Sequence, residues 1–353
     1  MAQRLRVGII GCGRIAGLLE DDPLRTGVVT HIGAYRAFPK KYDVIACASR
    51  TQEHADAFAR RFSLPHAYKN YRTMLKECAL DVVSVCAYAD TRAAMIRAAG
   101  AAGVKAVFAE KPLATSIGEA KAVTAYCRRK NVVLMVNHTR RWGHDYRTIR
   151  EAIAHNKIGK VRSVVCHFSG ALFHTGTHMF DILNFLFGKP RFVIGRLTAA
   201  GRSTWPQVAA HETVFEDFDG TGLVGYRDDV IVSVVGTPRP YFLFEIDIHG
   251  EKGRIRIGNN VLEVYTVRES RHYRGFSELE RVPFAIRHYK YSALEWAVWE
   301  LARAVQTKKP VSSSGDDARW ALEIACALCE SSGQGNRLIS LPLKKSTVRV
   351  RAR

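Results

Sequence analysis

The sequence predicts an α/β protein in two parts. A doubly wound parallel sheet is expected over residues 1–137, and an α+β domain with a large, mostly antiparallel sheet over 138–353. Three observations predict it. Up to about residue 137, apolar runs of five to seven residues alternate with amphipathic helical patterns. A glycine-rich turn follows the first of those runs. After about residue 160, apolar runs succeed one another across short turns with no helix between most of them.

In order, "RLRVGIIG" reads as the first strand, followed by "DVIACAS", "DVVSVCA", "VKAVFAE" and "VVLMVN". Their continuous apolar character suits strands covered on both faces. The patterns "TQEHADAFARRF", "TRAAMIRAAGAAG" and "SIGEAKAVTAYCRRKN" supply helices, and right-handed crossovers then give a Rossmann arrangement. One stretch, "LLEDDPLRTGVVTHIGAYRAFPKKY", is too long for a single helix and carries turn chemistry in "EDDPLRTG". It reads either as a flap over a ligand or as a surface excursion. In the second part, "KVRSVVCHFSG", "RFVIGRLTAAG", "GTGLVGYRDD", "VIVSVVGT", "YFLFEIDIHG" and "GRIRIG" read as strands, and "HMFDILNFLFG", "SALEWAVWELARAVQTKK" and "DDARWALEIACALCESS" as helices. With no repeat and no low-complexity linker, the two parts are expected to share an interface, with a ligand in the cleft between them.

Composition narrows the function. Hydrophobic content of 47% and charged content of 24% are those of a folded soluble protein. "MAQRLRVGIIGCG" runs straight into a strand without a signal-peptide pattern, and no apolar stretch approaches the roughly 20 residues of a membrane helix. The eight cysteines lie mostly in apolar segments, such as Cys47 and Cys86, and are expected reduced and buried in a cytoplasmic protein. Cys326 and Cys329 in "CALC" fall mid-helix among apolar residues, so they read as packing rather than a redox pair. The net charge of +20 is spread along the chain, and its one dense cluster is the tail "LKKSTVRVRAR", expected to be a frayed end. Neither nucleic acid nor membrane is expected as a partner. A positive field that attracts phosphorylated cofactors and substrates accounts for the charge.

Two segments carry chemistry. In "VGIIGCGRIAG", Gly11, Gly13 and Ala16 form G-x-G-x-x-A after a strand and at the expected start of a helix. Gly11, Gly13, Arg14, Ile15 and Ala16 are therefore expected to wrap a dinucleotide pyrophosphate, a ligand-free glycine turn being the alternative. At the end of the second strand, where Asp or Glu would favour NAD(H), stand Ser49, Arg50 and Thr51. A hydroxyl and a guanidinium suit a 2′-phosphate, so NADP(H) is favoured with NAD(H) possible; the alternative is a solvated arginine. The second segment is Glu110-Lys111-Pro112, at the carboxyl edge of the sheet where such folds bind ligands. Pro112 stops the strand, and Lys111 is expected to face the cleft with Glu110 close enough to pair with or orient it.

These segments, with "VNHTRRW", "GTHMFDILNFLFG", "EIDIHGEKGRIRI" and "ALEIACALCESSGQGNRLISLP", resemble the Gfo/Idh/MocA (glucose–fructose oxidoreductase / inositol dehydrogenase) family of NAD(P)-dependent oxidoreductases over nearly the whole chain. The resemblance implies that Lys111 and His178 are catalytic, His178 as general acid/base, a role an imidazole can fill near neutrality. Asp181, three residues on, either orients the His178 ring or is a helix-start carboxylate placed for the dipole. The chain also departs from the family pattern. His174 stands where many members carry an aspartate, and it binds substrate, shares the proton work or lines the cleft. Arg92 stands where a histidine would fall; Tyr88 and Asp90 are candidates for nicotinamide or substrate contacts, and Glu110 and Lys111 for cofactor contacts. Asn137, Arg140 and Arg141 match the family's N-x-R segment, the arginines either binding an anionic substrate group or pinning the domains. No metal is expected, because two histidines have no evident third ligand. The expected activity is hydride transfer to or from a sugar-like small molecule, by a homo-oligomer (dimer or tetramer). A glycoside hydrolase that retains NAD and a non-catalytic sensor are the alternatives.

Overall fold

The computed structural model describes residues 3–25, 27–198, 217–237, 240–288 and 290–349. The end of the strand pattern "RFVIGRLTAAG" and the last four residues of the basic tail lie outside the described residues. Two compact units are present. The first holds the described residues up to Trp142 and those from 290 to Arg319, and the second holds Gly143–His288 and the described chain from Trp320 onward.

The first unit is built on β1 (Leu5–Ile10), α1 (His31–Arg36), β2 (Tyr42–Ala48), α2 (Gln52–Arg61), β3 (His66–Tyr68), α3 (Tyr71–Glu77), β4 (Val82–Val85), α4 (Ala89–Ala101), β5 (Ala106–Ala109), α5 (Ile117–Arg129) and β6 (Val133–Val136). The strands are parallel, in the order β3-β2-β1-β4-β5-β6. Every residue of β4 and β5 is buried, as expected of strands covered on both faces. The helices start where side chains accept the first free N–H groups: Thr51 from His54 and Ser116 from Glu119. The chain leaves β1 for β2 on one side and later enters β4 on the other. That reversal opens a crevice at the carboxyl ends of the central strands. The edge strand β3 and the short helix α3 did not stand out in the sequence, because three half-exposed residues carry no periodic signal.

The second unit contains α6 (His144–Ala154), β7 (Val161–Ser169), a π-helical turn at Leu172–Gly176, α7 (Thr177–Phe187), β8 (Phe192–Thr198), β9 (Asp219–Gly225), β10 (Ile231–Thr237), β11 (Phe244–Gly250), β12 (Gly253–Gly258), β13 (Leu262–Glu269) and β14 (Ser277–Val282). After them come α8 (Ala293–Thr307) of the first unit, α9 (Gly315–Gly333), which begins in the first unit and ends in the second, and β15 (Ile339–Ser340). Nine strands form one sheet, β14-β13-β12-β11-β7-β10-β9-β8-β15, antiparallel except where β7 meets β10. Strands β13 and β14 were not anticipated: "LEVYTVRE" and "SELERV" carry charges on both faces and bury only Val264.

Helix α8 belongs with the first unit, although its sequence lies after residue 138. Its buried stripe of Leu294, Ala297, Val298, Leu301 and Ala302 packs with Val7, Tyr35, Val82 and Phe108, and Tyr42 donates a 2.6 Å hydrogen bond to the Val298 carbonyl. Sequence distance conceals this return, since a helix face names an apolar partner but not which one. Among the described residues, no helix is long and apolar enough to cross a membrane.

Candidate active site

At the carboxyl end of β1 the chain turns at Gly11, whose φ of 95° lies in the left-handed region. A Cβ there would stand 2.9 Å from the backbone of Cys86 and Ala87, so only glycine lets this turn touch the segment after β4. The Cβ position of Gly13 meets nothing within 4 Å, an open cradle of the kind a pyrophosphate fills. Arg14, Ile15 and Ala16 then form a single wide turn, with Leu19 N–H donating to the Arg14 carbonyl at 2.9 Å. The helix expected to begin here is interrupted. A 3-10 turn (Leu18–Asp21) and a loop containing Pro23, which has no N–H to give, intervene before α1. Helix α1 then resumes the broken one: His31 and Ile32 N–H donate to the Ile15 and Ala16 carbonyls, each at 3.0 Å. Thr30 closes the excursion, capping Gly33 N–H and donating to Glu20 at 2.5 Å, and Asp21 ties it to Arg61 of α2 at 2.5 Å.

Beyond β2, Ser49 is half-buried and Arg50 exposed, with no carboxylate at Ser49, Arg50 or Thr51. The Arg50 guanidinium carbon lies 5.9 Å from the centre of the Tyr88 ring, within cation–π range. Tyr88 occupies the N-cap of α4, and this contact groups it with the candidate phosphate-reading arginine; Asp90 is exposed in the first turn of the same helix. Beside the glycine turn, the Cys12 thiol is pushed far above its ordinary range by a hydrogen bond with Cys47 and by burial.

Lys111-Pro112 is a cis peptide at the end of β5. The Glu110 carboxylate, 8% exposed, accepts from His31 Nε2 at 3.0 Å and from Asn137 Nδ2 at 2.6 Å. Lys111, half-buried, gives Glu110 its backbone N–H at 3.3 Å as well as the influence of its charge. Burial opposes ionisation of Glu110, but the His31 and Asn137 hydrogen bonds and the charges of His31 and Lys111 outweigh it and hold the carboxyl at about 2. Glu110 thus lies against Lys111, and His31 and Asn137 join it in a network that anchors the motif from beneath. Arg92 is 2% exposed and donates to the carbonyls of Pro112 and Ala87 (the latter at 2.5 Å), so it clamps the turns after β5 and β4 together. Arg141, 5% exposed, donates to the Ser312 carbonyl at 2.8 Å and pairs with Asp317 at 3.2 Å, both in its own unit. Arg140, half-buried, shares the 3-10 turn Thr139–Trp142.

In the second unit, His174 sits in the π-helical turn that leads into α7, and His178 and Asp181 lie on α7 itself. π-Helical turns are often found at functional sites. Asp217, 4% exposed, accepts from the N–H groups of Phe173 (3.0 Å), His174 (2.9 Å) and Phe218 (2.8 Å), and burial pushes its carboxyl up to about 6. The His174 ring contacts Thr175 Oγ1 at 3.3 Å. Asp181 is 1% exposed and lies past the first turn of α7, where the helix dipole has little hold on it.

The first unit therefore gathers Gly11, Gly13, Arg14, Ile15, Ala16, Ser49, Arg50, Tyr88, Glu110 and Lys111 along one sheet edge. The second gathers His174, His178 and Asp181 over two successive turns. The sequence reading missed His31, Ser84 and Asp217. A capped histidine in "THIG" was the one available signal for the first; Ser84 and Asp217 left none.

Residues 5–138 match an oxidoreductase family described by its NAD-binding Rossmann fold, and residues 150–341 match its C-terminal alpha/beta domain. D-apiose dehydrogenase of Paraburkholderia graminis is 27% identical over 215 residues, covering 56% of this chain and 52% of that protein. The chain thus spans about half the length of that relative. Myo-inositol 2-dehydrogenase of Thermotoga maritima is 24% identical over 347 residues, 93% of this chain and 96% of that one. A solved structure of levoglucosan dehydrogenase in complex with NADH shares the fold, with a TM-score of 0.78 at 21% identity over 97% of this chain and all (100%) of the other.

Proposed function

The chain belongs to the Gfo/Idh/MocA oxidoreductase family, and from that premise we propose that it is an NAD(P)-dependent dehydrogenase of sugars or related polyols that prefers NADP(H). The observation that carries this reading is one sheet edge on which the open cradle of Gly13 and the anchored Glu110-Lys111-Pro112 flank the end of β4. A nicotinamide dinucleotide, when bound, supplies the hydride acceptor or donor. Gly11 to Ala16 would hold its pyrophosphate by backbone N–H groups, and Ser49 and Arg50 its 2′-phosphate, with Tyr88 bracing the arginine. Lys111 would hydrogen-bond the reacting oxygen and stabilise charge on it. His178 would take or return the hydroxyl proton, with His174 and Asp181 as its supports. Arg140 offers a cation to an anionic substrate group. The family resemblance supports a homo-oligomer, dimer or tetramer.

The test is a fluorescence titration with NADPH and NADH on the wild type and on Arg50→Ala, followed by turnover of D-xylose, D-apiose and myo-inositol. Tighter NADPH binding, weakened about tenfold or more in Arg50→Ala, supports the preference, since a charge-assisted contact of this kind contributes about 1.5–3 kcal/mol. Equal affinities unaffected by Arg50→Ala refute the preference. Full turnover by Lys111→Met refutes the catalytic role of Lys111. A preparation that arrives saturated with NAD favours the retained-cofactor hydrolase.

A further inference from the structure

Behind Lys111 lies a buried charged cluster in which the family motif supplies only one member. His31 is 0% exposed and both of its ring nitrogens are engaged: Nε2 with Glu110 Oε1 and Nδ1 with Ser84 Oγ, each at 3.0 Å. An ionised carboxylate can only accept, so Nε2 carries a proton. Ser84 Oγ also meets the Tyr35 hydroxyl at 2.9 Å, and the Phe108 ring lies tilted against the imidazole, 4.4 Å between centres. Burial works against a charged imidazole here, but Cys86 and Glu110 outweigh it and raise His31 to about 10. Arg92 is a second buried cation near the same carboxylate, lowered by burial to about 10 and still charged at neutral pH. The polar groups facing this cluster are Tyr35 from α1, Ser84 and Cys86 from β4 and its end, Arg92 and Asp90 from α4, Asn137 after β6, and Lys111 itself. Before Lys111 is counted, Glu110 faces two cations, one of which, Arg92, also feels Asp90.

We propose that His31 is a positioning residue for Lys111: its buried charge offsets that of Glu110, so the carboxylate anchors the Lys111 backbone without tightening the hold on the Lys111 side-chain proton. That proton stays available to the oxygen of a bound sugar or polyol. The inference rests on the reading that Lys111 acts on that oxygen. Removing the His31 charge leaves Glu110 less compensated, which favours the protonated Lys111 amine.

Competition labelling of the full-length protein with acetic anhydride, read by peptide mass spectrometry at pH 8, tests this with the exposed Lys69 and Lys130 as internal standards. In His31→Gln, Lys111 is expected to label about threefold or more slowly than in the wild type, the effect of about half a pH unit in its titration. The double variant His31→Gln/Glu110→Gln is expected within about twofold of the wild type, because both charges are gone. A structural role would slow or speed both variants alike. Unchanged labelling in folded His31→Gln, or the same slowing in the double variant, overturns the proposal. Should His31→Gln not fold, His31→Asn is labelled in its place, and unchanged labelling in that folded variant overturns the proposal as well. Labelling needs no turnover, so its failure is separate from full turnover in Lys111→Met, which would instead sink the catalytic reading.

Discussion

Replacing Glu110 with glutamine keeps the shape of the buried side chain and removes its charge, so it isolates the electrostatic part of the anchor beneath Lys111. The carboxyl is held at about 2 against an ordinary 4.5, which corresponds to about 3 kcal/mol of stability. The same pair read from the imidazole, raised from 6.5 to about 10, gives about 5 kcal/mol. These are two ends of one interaction and do not add. The carboxyl value is the better guide, because the imidazole also feels Cys86, which survives the substitution. A loss of about 3 kcal/mol agrees with the cost of breaking a buried ion pair. Because the Glu110 pKa is depressed, its contribution is in place above about 4.5 and is lost as pH falls toward about 2. Because that of His31 is raised, its contribution is in place below about 6.5 and is lost as pH rises through about 10. Urea denaturation followed by circular dichroism should therefore show the widest gap between wild type and Glu110→Gln at about pH 5–6, narrowing by about pH 10. A gap under about 1 kcal/mol at pH 6, the value of an exposed pair, or one that stays constant to pH 10, would refute the reasoning.

The glycine turn separates fold from binding. Gly11→Ala places a methyl 2.9 Å from backbone atoms at a left-handed position, and thermal unfolding should report a loss of about 2 kcal/mol or more. Gly13→Val enters open space, so its stability should stay within about 1 kcal/mol of wild type while NADPH affinity falls about tenfold or more. Asp217 is raised from 3.8 to about 6, so it contributes stability below its unfolded value and loses that contribution as pH rises through about 6. Relative to Asp217→Asn, the wild type should lose about 3 kcal/mol between pH 3.5 and 7.5; parallel pH curves in urea denaturation would count against its burial as an ionised group.

Legibility followed the range of the forces involved. Alternation of buried runs and amphipathic helices was readable through β6, because strands covered on both faces have to be apolar along their whole length. The edge strand β3 and the charged hairpin β13–β14 were not, because edges and solvent faces tolerate polar residues. Gly11 and Gly13 were readable as a ligand turn, but the helix expected after them was split by a Pro-containing excursion, and its continuation at His31 depends on two backbone hydrogen bonds to Ile15 and Ala16. Arg141 left two roles open in the sequence, and its bonds to Ser312, 171 positions away, and to Asp317 could not be read there. Arg92, marked only as a departure from pattern, proved to be a clamp on the carbonyls of Ala87 and Pro112.

By itself the sequence determined the fold class, the dinucleotide turn, the basic group after β2 and the Glu110-Lys111-Pro112 motif. Each of these is encoded by residues next to one another in the chain. Tertiary structure alone decided what stands behind the motif: His31 and Ser84 lie 79 and 26 positions before Glu110, and Asn137 lies 27 after it. It also decided that α8 closes the first unit and that Asp217 holds the backbone of His174. The physical reason is that a buried charge has to be matched by whatever neighbour the fold delivers. Local sequence can place such a charge, but only the packed chain supplies its partner.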